Sequence, residues 1–279
     1  TKNYVLRRKP PGKLLKSAHA VDREYKVITA LGKTDVPVPE TYCFCEDENV
    51  IGTQFFLMDH VDGNIYWELL LPDSDNNQRR EIYLSMNDTI AKLHNVDFQK
   101  IGLGDYGKHE NYMARQIHRW TKQYKDSETQ KINETTIVHG DFRLDNMIFD
   151  KQNNKVMAIL DWELSTLGNP IADFTYHMMS WRLPAAAKGL GMMGSNLEEL
   201  NIPSEHEYAE MYYKKTGRSK IENWDFYMAY NIFRLAGIAQ GIVGRVRDGT
   251  ASSSEAKNYE SFVPILGKLG WNIVEEAAK

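Results

Sequence analysis

At 279 residues, 42% hydrophobic and 11% aromatic, the chain has enough apolar side chains for a sizeable core, arranged as one large domain or two lobes. A formal charge of -4 supplies no global basic field, which excludes a nucleic-acid partner held by overall charge. No apolar run approaches the roughly 18 residues of a membrane span and no signal-peptide pattern opens the chain, so no membrane partner is expected.

In chain order, NYVLRRKP (3–10) reads as a strand closed by Pro10 and Pro11, and GKLLKSA as a loop. The chain begins at Thr1 inside this apparent strand and reads as a piece of something longer. In AVDREYKVITALGK, Val21, Tyr25, Ile28 and Leu31 recur at helical spacing, with Gly32 as the stop. VPVPETYCFCEDENVIGTQFFLMDHVDG reads as two strands around a polar turn, QFFLM being apolar enough for burial on both faces and DHVDG serving as an exit hinge. Cys43 and Cys45 alternate on the first of these strands, too close for a normal disulfide and without the neighbours of a zinc site. They read as small buried or half-buried residues, and a reducing, cytoplasmic compartment fits them.

After Gly63 helical patterns dominate, at 76–95, 109–125, 204–216, 223–247 and 255–276. They are broken by a strand pair around TTIVHGDFRLDNMIF (135–149), and DGTASSSE (248–255) reads as a loop with a helix start. The expected architecture is α+β and bilobal: a small β-rich N-terminal lobe with its hinge over 1–62, and a larger, mainly helical C-terminal lobe over 63–279. Clefts between such lobes are favoured ligand sites.

IVHGDFRLDN sets His139, Asp141 and Asn146 at the spacing H-x-D-x-x-x-x-N of a protein-kinase catalytic loop. A base must sit beside the attacking hydroxyl while a second oxygen ligand holds Mg²⁺ on the phosphates; Asp141 suits the first role and Asn146 the second. Taken alone, the loop could equally be a turn whose Asp141 and Asn146 bond their own backbone. VMAILDWE (156–163), however, is an apolar strand ending in Asp161, a carboxylate placed to face a cleft as the anionic ligand of a hard cation. A strand-end turn or helix cap is the alternative for Asp161 by itself. Arg7 and Lys9 share one face of the first strand, so either could meet nucleotide phosphates. Glu24, beside the Val21/Tyr25/Ile28 stripe, could pair with that cation; solvent exposure is the alternative.

These residues resemble the aminoglycoside phosphotransferase and choline kinase-like family. HGDFRLDN, LDWELSTLGNPIADF, YVLRRKPPGKLL, DREY and GIAQG are similar to the N-terminal kinase-like domain of the acyl-CoA dehydrogenase family members 10 and 11, over Tyr4 to about Ser254. The resemblance implies a protein-kinase-like fold, ATP and Mg²⁺ as cofactors, and transfer of the γ-phosphate to a hydroxyl of a small metabolite, a hydroxyacyl-CoA first. The alternatives are another small hydroxylated or amino-alcohol compound of the aminoglycoside or choline type, or a catalytically silent nucleotide-binding scaffold. Carried over, Asp141 is the catalytic base or hydroxyl orienter and Arg143 a cation near the transferring phosphoryl group. Asn146 and Asp161 are the metal ligands, His139 a prop of the loop, and Asp173 its brace from the next helix. Arg7 stands at the place of the usual phosphate-binding Lys with Glu24 as its partner, and backbone groups of Asp59, His60 and Val61 would meet adenine. An Arg brings a planar fork of donors there rather than a point charge.

The resemblance further implies fusion to, or work beside, an acyl-CoA dehydrogenase, and in a longer fusion a mitochondrial or peroxisomal location in place of the cytoplasm. Two departures stand out. The family's phosphate-covering hairpin would precede Thr1, so the expected N-lobe lacks its first hairpin, and the segment from Trp120 to Ile137 is shorter than the family pattern. For the acceptor, residues 181–279 mix both signs evenly, which disfavours a polycation. Trp181, Arg182, Met192, Met193, Tyr230 and Arg234, with Gln240 and Arg245, offer apolar surface and cations compatible with an acyl chain on an anionic carrier. No A-P-E element follows Asp161, so a peptide-phosphorylating kinase is a weaker reading.

Overall fold

The computed structural model describes residues 2–9, 20–107, 134–185, 191–221, 223–247 and 260–277. In the N-terminal lobe, β1 (Tyr4–Arg8), β2 (Thr41–Cys45) and β3 (Phe55–Asp59) form an antiparallel sheet in the order β1-β3-β2. The central strand is the apolar one, with Phe55 and Phe56 buried, because a middle strand needs no polar edge. Helix α1 (Val21–Leu31) lies against this sheet through Tyr25, whose ring stacks on Phe44 at 5.5 Å and meets Phe56 at 5.7 Å. Gly32 ends the helix, its N–H donating to the Ile28 carbonyl at 2.9 Å. Cys43 is exposed rather than buried, since a bulge between Thr41 and Cys43 breaks the register of edge strand β2; Cys45 is half-buried and both thiols are free.

The C-terminal lobe is built on α2 (Asn76–His94), α3 (Pro170–Met178), α4 (Glu205–Thr216), α5 (Trp224–Arg247) and α6 (Phe262–Ala277). Asp75 and Gln78 close a capping box on α2, and Ser204 caps α4. Its core is aromatic: Phe174 stacks on Tyr212 at 3.8 Å, and Tyr83, Trp181 and Tyr208 pack edge-on or tilted beside them. The expected helix over 109–125 and the loop over 248–255 lie outside the described residues, as does most of the segment from Trp120 to Ile137. No helix among the described residues is long and apolar enough to cross a membrane.

Four short strands position the cleft: β4 (Thr136–Val138), β5 (Met147–Phe149), β6 (Val156–Ile159) and β7 (Thr166–Gly168). The apolar runs flanking HGDFRLDN do not pair with each other as a single strand pair. β4 pairs with β7, and β5 with β6, in separate antiparallel ladders. The residues of β4 and β5 are all buried, so no alternation in the sequence betrays which partner each takes. The lobes meet at the end of β6, where the Ile159 N–H donates to the Pro37 carbonyl at 2.9 Å and Arg23 of α1 donates to the Tyr106 carbonyl at 2.9 Å. Gly63, leaving the first lobe, passes so close to β5 that a Cβ there would stand 2.4 Å from the Ile148 side chain and 2.5 Å from the Phe149 carbonyl.

Candidate active site

β4 delivers the chain to His139, which is fully buried, and Gly140 then turns it with φ 84, a conformation open to glycine. A Cβ on Gly140 would also lie 2.7 Å from the Leu164 carbonyl. The turn is held from α3. Asn169 caps that helix by accepting the N–H groups of Ile171 and Ala172 at 2.8 and 3.0 Å, with Pro170 preset at the first helical position. One turn in, Asp173 accepts the N–H of His139 at 2.7 Å and of Gly140 at 2.8 Å, and takes His94 Nε2 at 3.2 Å. Burial pushes the Asp173 carboxyl up, but His94, His139 and these hydrogen bonds outweigh it and hold the carboxyl below its ordinary value. Burial lowers the His94 pKa, with Asp173 opposing.

His139 links this turn to the other side of the cleft. Its Nδ1 accepts the Asp141 N–H at 3.2 Å, and its Nε2 donates to the Leu160 carbonyl at 2.9 Å. Leu160 in turn donates its N–H to the Asn146 carbonyl at 2.8 Å. These bonds bring Asp161, the next residue, beside Asn146.

Asp141 projects from the loop with donors on both oxygens. Tyr176 donates to Oδ1 at 2.6 Å and the Asn146 amide nitrogen to Oδ2 at 3.2 Å, while Arg143 Nε stands 3.6 Å from Oδ1. The Asn146 amide also donates to the Asp141 backbone carbonyl at 2.9 Å, which commits its nitrogen to the loop and leaves Oδ1 as the acceptor to offer a cation. Arg143 also pairs with Asp145. Burial opposes the Arg143 charge, yet Asp141, Asp145 and Tyr176 raise its pKa on balance, so it stays cationic.

Asp161 takes a left-handed backbone conformation, φ 61 and ψ 59, as the chain leaves β6 for the helical turn Trp162–Leu164, and its side chain is 44% exposed. Facing it, Arg7 of β1 donates from Nε to Glu24 Oε2 at 3.0 Å and reaches to 3.6 Å from Asp161 Oδ1 with a terminal nitrogen. The structure therefore brings Arg7, Glu24 and Asp161 into one chain of contacts, and Asp141, Arg143 and Asn146 into another beside it. Burial raises the Glu24 carboxyl, with Arg7 opposing, and burial against Arg7 is outweighed by Glu24 and Asp161.

At the hinge, the Asp59 N–H already donates to the Glu40 carbonyl at 2.8 Å, and its side chain accepts from Tyr42 at 2.6 Å and pairs with Lys2 at 3.0 Å. His60 is exposed and Val61 half-buried. Lys9, the other candidate cation of β1, donates to Gln54 at 2.7 Å. Among the described residues no group of three or more His, Cys, Asp or Glu is disposed to hold a metal ion.

Beside Asp141 opens a cavity of about 550 Å³. Its walls include Trp67, Leu69, Phe142, Leu144, Met179 and Leu235, and both Tyr176 and Arg143 reach it. Sequence reasoning missed Trp67 and Tyr176. Tyr176 had one signal, its place one helical turn after Asp173 on α3. The set read for acceptor contact is largely structural. Trp181 is buried and donates to the Pro203 carbonyl at 2.9 Å, Met192 is buried against Tyr83, and Arg182 is taken by Glu205 and Asp225. Arg234 does reach the site, donating to the Gly140 carbonyl at 2.9 Å with its guanidinium 4.8 Å from the Tyr176 ring centre. The Arg245 side chain lies outside the described residues.

A small sheet lobe over a helical lobe, with an Asp, an Asn and a second Asp gathered at the junction, defines the kinase-like phosphotransferase fold. The chain belongs to the phosphotransferase enzyme family, whose model matches residues 1–198. Acyl-CoA dehydrogenase family member 10 of Mus musculus is 41% identical over 289 residues, which cover 97% of this chain and 27% of that protein. Acyl-CoA dehydrogenase family member 11 of Homo sapiens is 38% identical over 286 residues, covering 96% of this chain and 36% of that protein. The chain thus spans between about a quarter and just over a third of the length of these relatives. The crystal structure of a candidate aminoglycoside phosphotransferase from Ralstonia eutropha JMP134 matches with a TM-score of 0.87 and 45% identity over 98% of this chain and 86% of that one.

Proposed function

We propose that the chain transfers the γ-phosphate of ATP to a hydroxyl of a small metabolite, with a hydroxyacyl-CoA as the first candidate. The observation that carries this is the Asp141 carboxylate, held by Asn146 and by Tyr176, which also lines the neighbouring cavity, and linked through His139 and Leu160 to Asp161. Residues 1–62 serve as the nucleotide-binding lobe and hinge, and 63–279 as the catalytic and acceptor lobe. Asp141 accepts the hydrogen bond of the acceptor hydroxyl and aims it. Arg143 sits near the transferring phosphoryl group, Arg7 meets nucleotide phosphates while anchored on Glu24, and backbone groups of Asp59, His60 and Val61 face the adenine. Asn146 Oδ1 and Asp161 hold Mg²⁺, which neutralises phosphate charge when bound.

The acceptor assignment is supported by the apolar part of the cavity wall, Trp67, Leu69, Met179 and Leu235, which suits an acyl chain; Arg143 and the carboxylates Glu68 and Asp145 share that wall. The names of the relatives point the same way, and suggest that the chain is fused to, or works with, an acyl-CoA dehydrogenase. A cytoplasmic site is proposed, or a mitochondrial or peroxisomal one within a longer fusion. The test incubates the protein with Mg-ATP and hydroxyacyl-CoAs, choline, aminoglycosides and sugars. A phosphorylated hydroxyacyl-CoA that Asp141→Asn abolishes is expected. Product from choline or an aminoglycoside alone would move the acceptor class, and nucleotide binding without Asp141-dependent product would leave a scaffold.

A further inference from the structure

Trp67 is 73% exposed, the highest value among the large apolar side chains of the described residues. A large indole left in water keeps its apolar surface available to a ligand, and this one lines the cavity with Arg143 and Tyr176. The backbone on either side of it is pinned. Upstream, Asn64 exchanges two backbone hydrogen bonds with Phe149 of β5, at 2.7 and 2.8 Å, and Tyr66 packs its ring on Phe149 at 5.3 Å. Downstream, Tyr83 donates to the Leu69 carbonyl at 2.8 Å, and Arg79 to the carbonyls of Leu70 and Leu71, each at 3.0 Å. Trp67 lines the cavity together with Arg143 and Tyr176, the two residues that also contact Asp141.

We propose that Trp67 and the apolar wall formed by Leu69, Met179 and Leu235 are the acceptor-specificity subsite, selecting acceptors with an extended apolar body whose hydroxyl reaches Asp141. This rests on the phosphotransfer reading for the role of Asp141, but not for the binding itself. Trp67 acts by covering the body of the acceptor and excluding water from it; an indole face also draws a quaternary ammonium by cation–π attraction, so the choline probe separates that reading from an apolar acceptor.

The test compares wild type, Trp67→Ala and Trp67→Phe in the full chain with ADP and magnesium present. The probes are 3-hydroxydecanoyl-CoA, 3-hydroxybutyryl-CoA, choline and kanamycin, followed by calorimetry and by tryptophan fluorescence. The long-chain probe is expected to bind with a fluorescence change that Trp67→Ala removes, and to lose about tenfold in affinity in that variant. Trp67→Phe should keep most of the affinity, the short-chain probe should be nearly insensitive, and ADP affinity should be unchanged. Equal long-chain affinity in Trp67→Ala and wild type, tightest binding of choline or kanamycin, or no binding of the long-chain probe overturns the proposal. Trp67-dependent binding without any Asp141-dependent product sustains the subsite and removes the phosphotransfer reading. Asp141-dependent turnover indifferent to Trp67 does the reverse.

Discussion

Asp141 shows how much of a site rests on what touches a side chain rather than on the side chain alone. Tyr176 is buried on α3, and burial followed by the neighbouring Asp141 charge raises its pKa, so it remains a protonated donor to Oδ1. With one oxygen engaged by Tyr176 and the other by Asn146, the carboxylate can turn little, as the proposed function would require of a group that aims a hydroxyl. Tyr176→Phe keeps the ring and removes the bond; steady-state kinetics should show kcat lowered about tenfold with the KM for ATP little changed. Arg7 is the counterpart in the sheet lobe, held between Glu24 and Asp161. Glu24 has a raised carboxyl pKa, so the folded state holds that proton more tightly than the unfolded chain. Its contribution to stability is therefore present below the ordinary carboxylate value and lost as pH rises through the folded one. Arg7 limits that loss. Arg7→Ala should cost about 1–2 kcal/mol, the part-exposed Arg being discounted for screening. Urea titrations should show the cost larger at mildly alkaline than at mildly acidic pH.

At the scale of the element, α3 organises the loop before it. Asn169 and Pro170 fix where the helix starts, and that start places Asp173 under the N–H groups of His139 and Gly140. Asp173→Ala leaves two buried backbone donors without their acceptor, and chemical denaturation should register a loss of about 3 kcal/mol together with loss of activity. Gly140→Ala meets both a left-handed backbone and the Leu164 carbonyl. It should lower stability by about 2 kcal/mol or more, measured the same way. The helices starting at Asn76 and Glu205 were legible because each carries its period and a cap, Asp75 and Ser204. The pairing of β4 with β7 was not legible, since three buried residues in a row have no face to read and β7 is only Thr166–Gly168.

For the molecule as a whole, pH stability should follow buried histidines. Burial lowers His177 from 6.5 to about 4, so it stays neutral in the fold while the unfolded chain protonates. A depressed pKa gives stability that is full above 6.5 and lost as pH falls toward about 4. The amount for His177 is about 3 kcal/mol across that window. His94 is lowered too and acts in the same direction. Thermal melts should show stability falling through this range, with a shallower slope in His177→Gln.

The sequence by itself determined the residues of the loop and the lobes that hold them. His139, Asp141, Asn146 and Asp161 lie within one short stretch, and spacing along a chain is a local property that survives without coordinates. The α+β, two-lobed plan followed from periodicities that are local as well. Only the tertiary structure decided what surrounds Asp141. Tyr176 comes from α3, Arg234 from the middle of α5, and Trp67 from the segment after the first lobe, and each looks like an ordinary core or surface residue until packing carries it to the cleft. The same packing turned Trp181 and Met192 inward, because burial depends on which faces of neighbouring elements meet, and no local pattern records that.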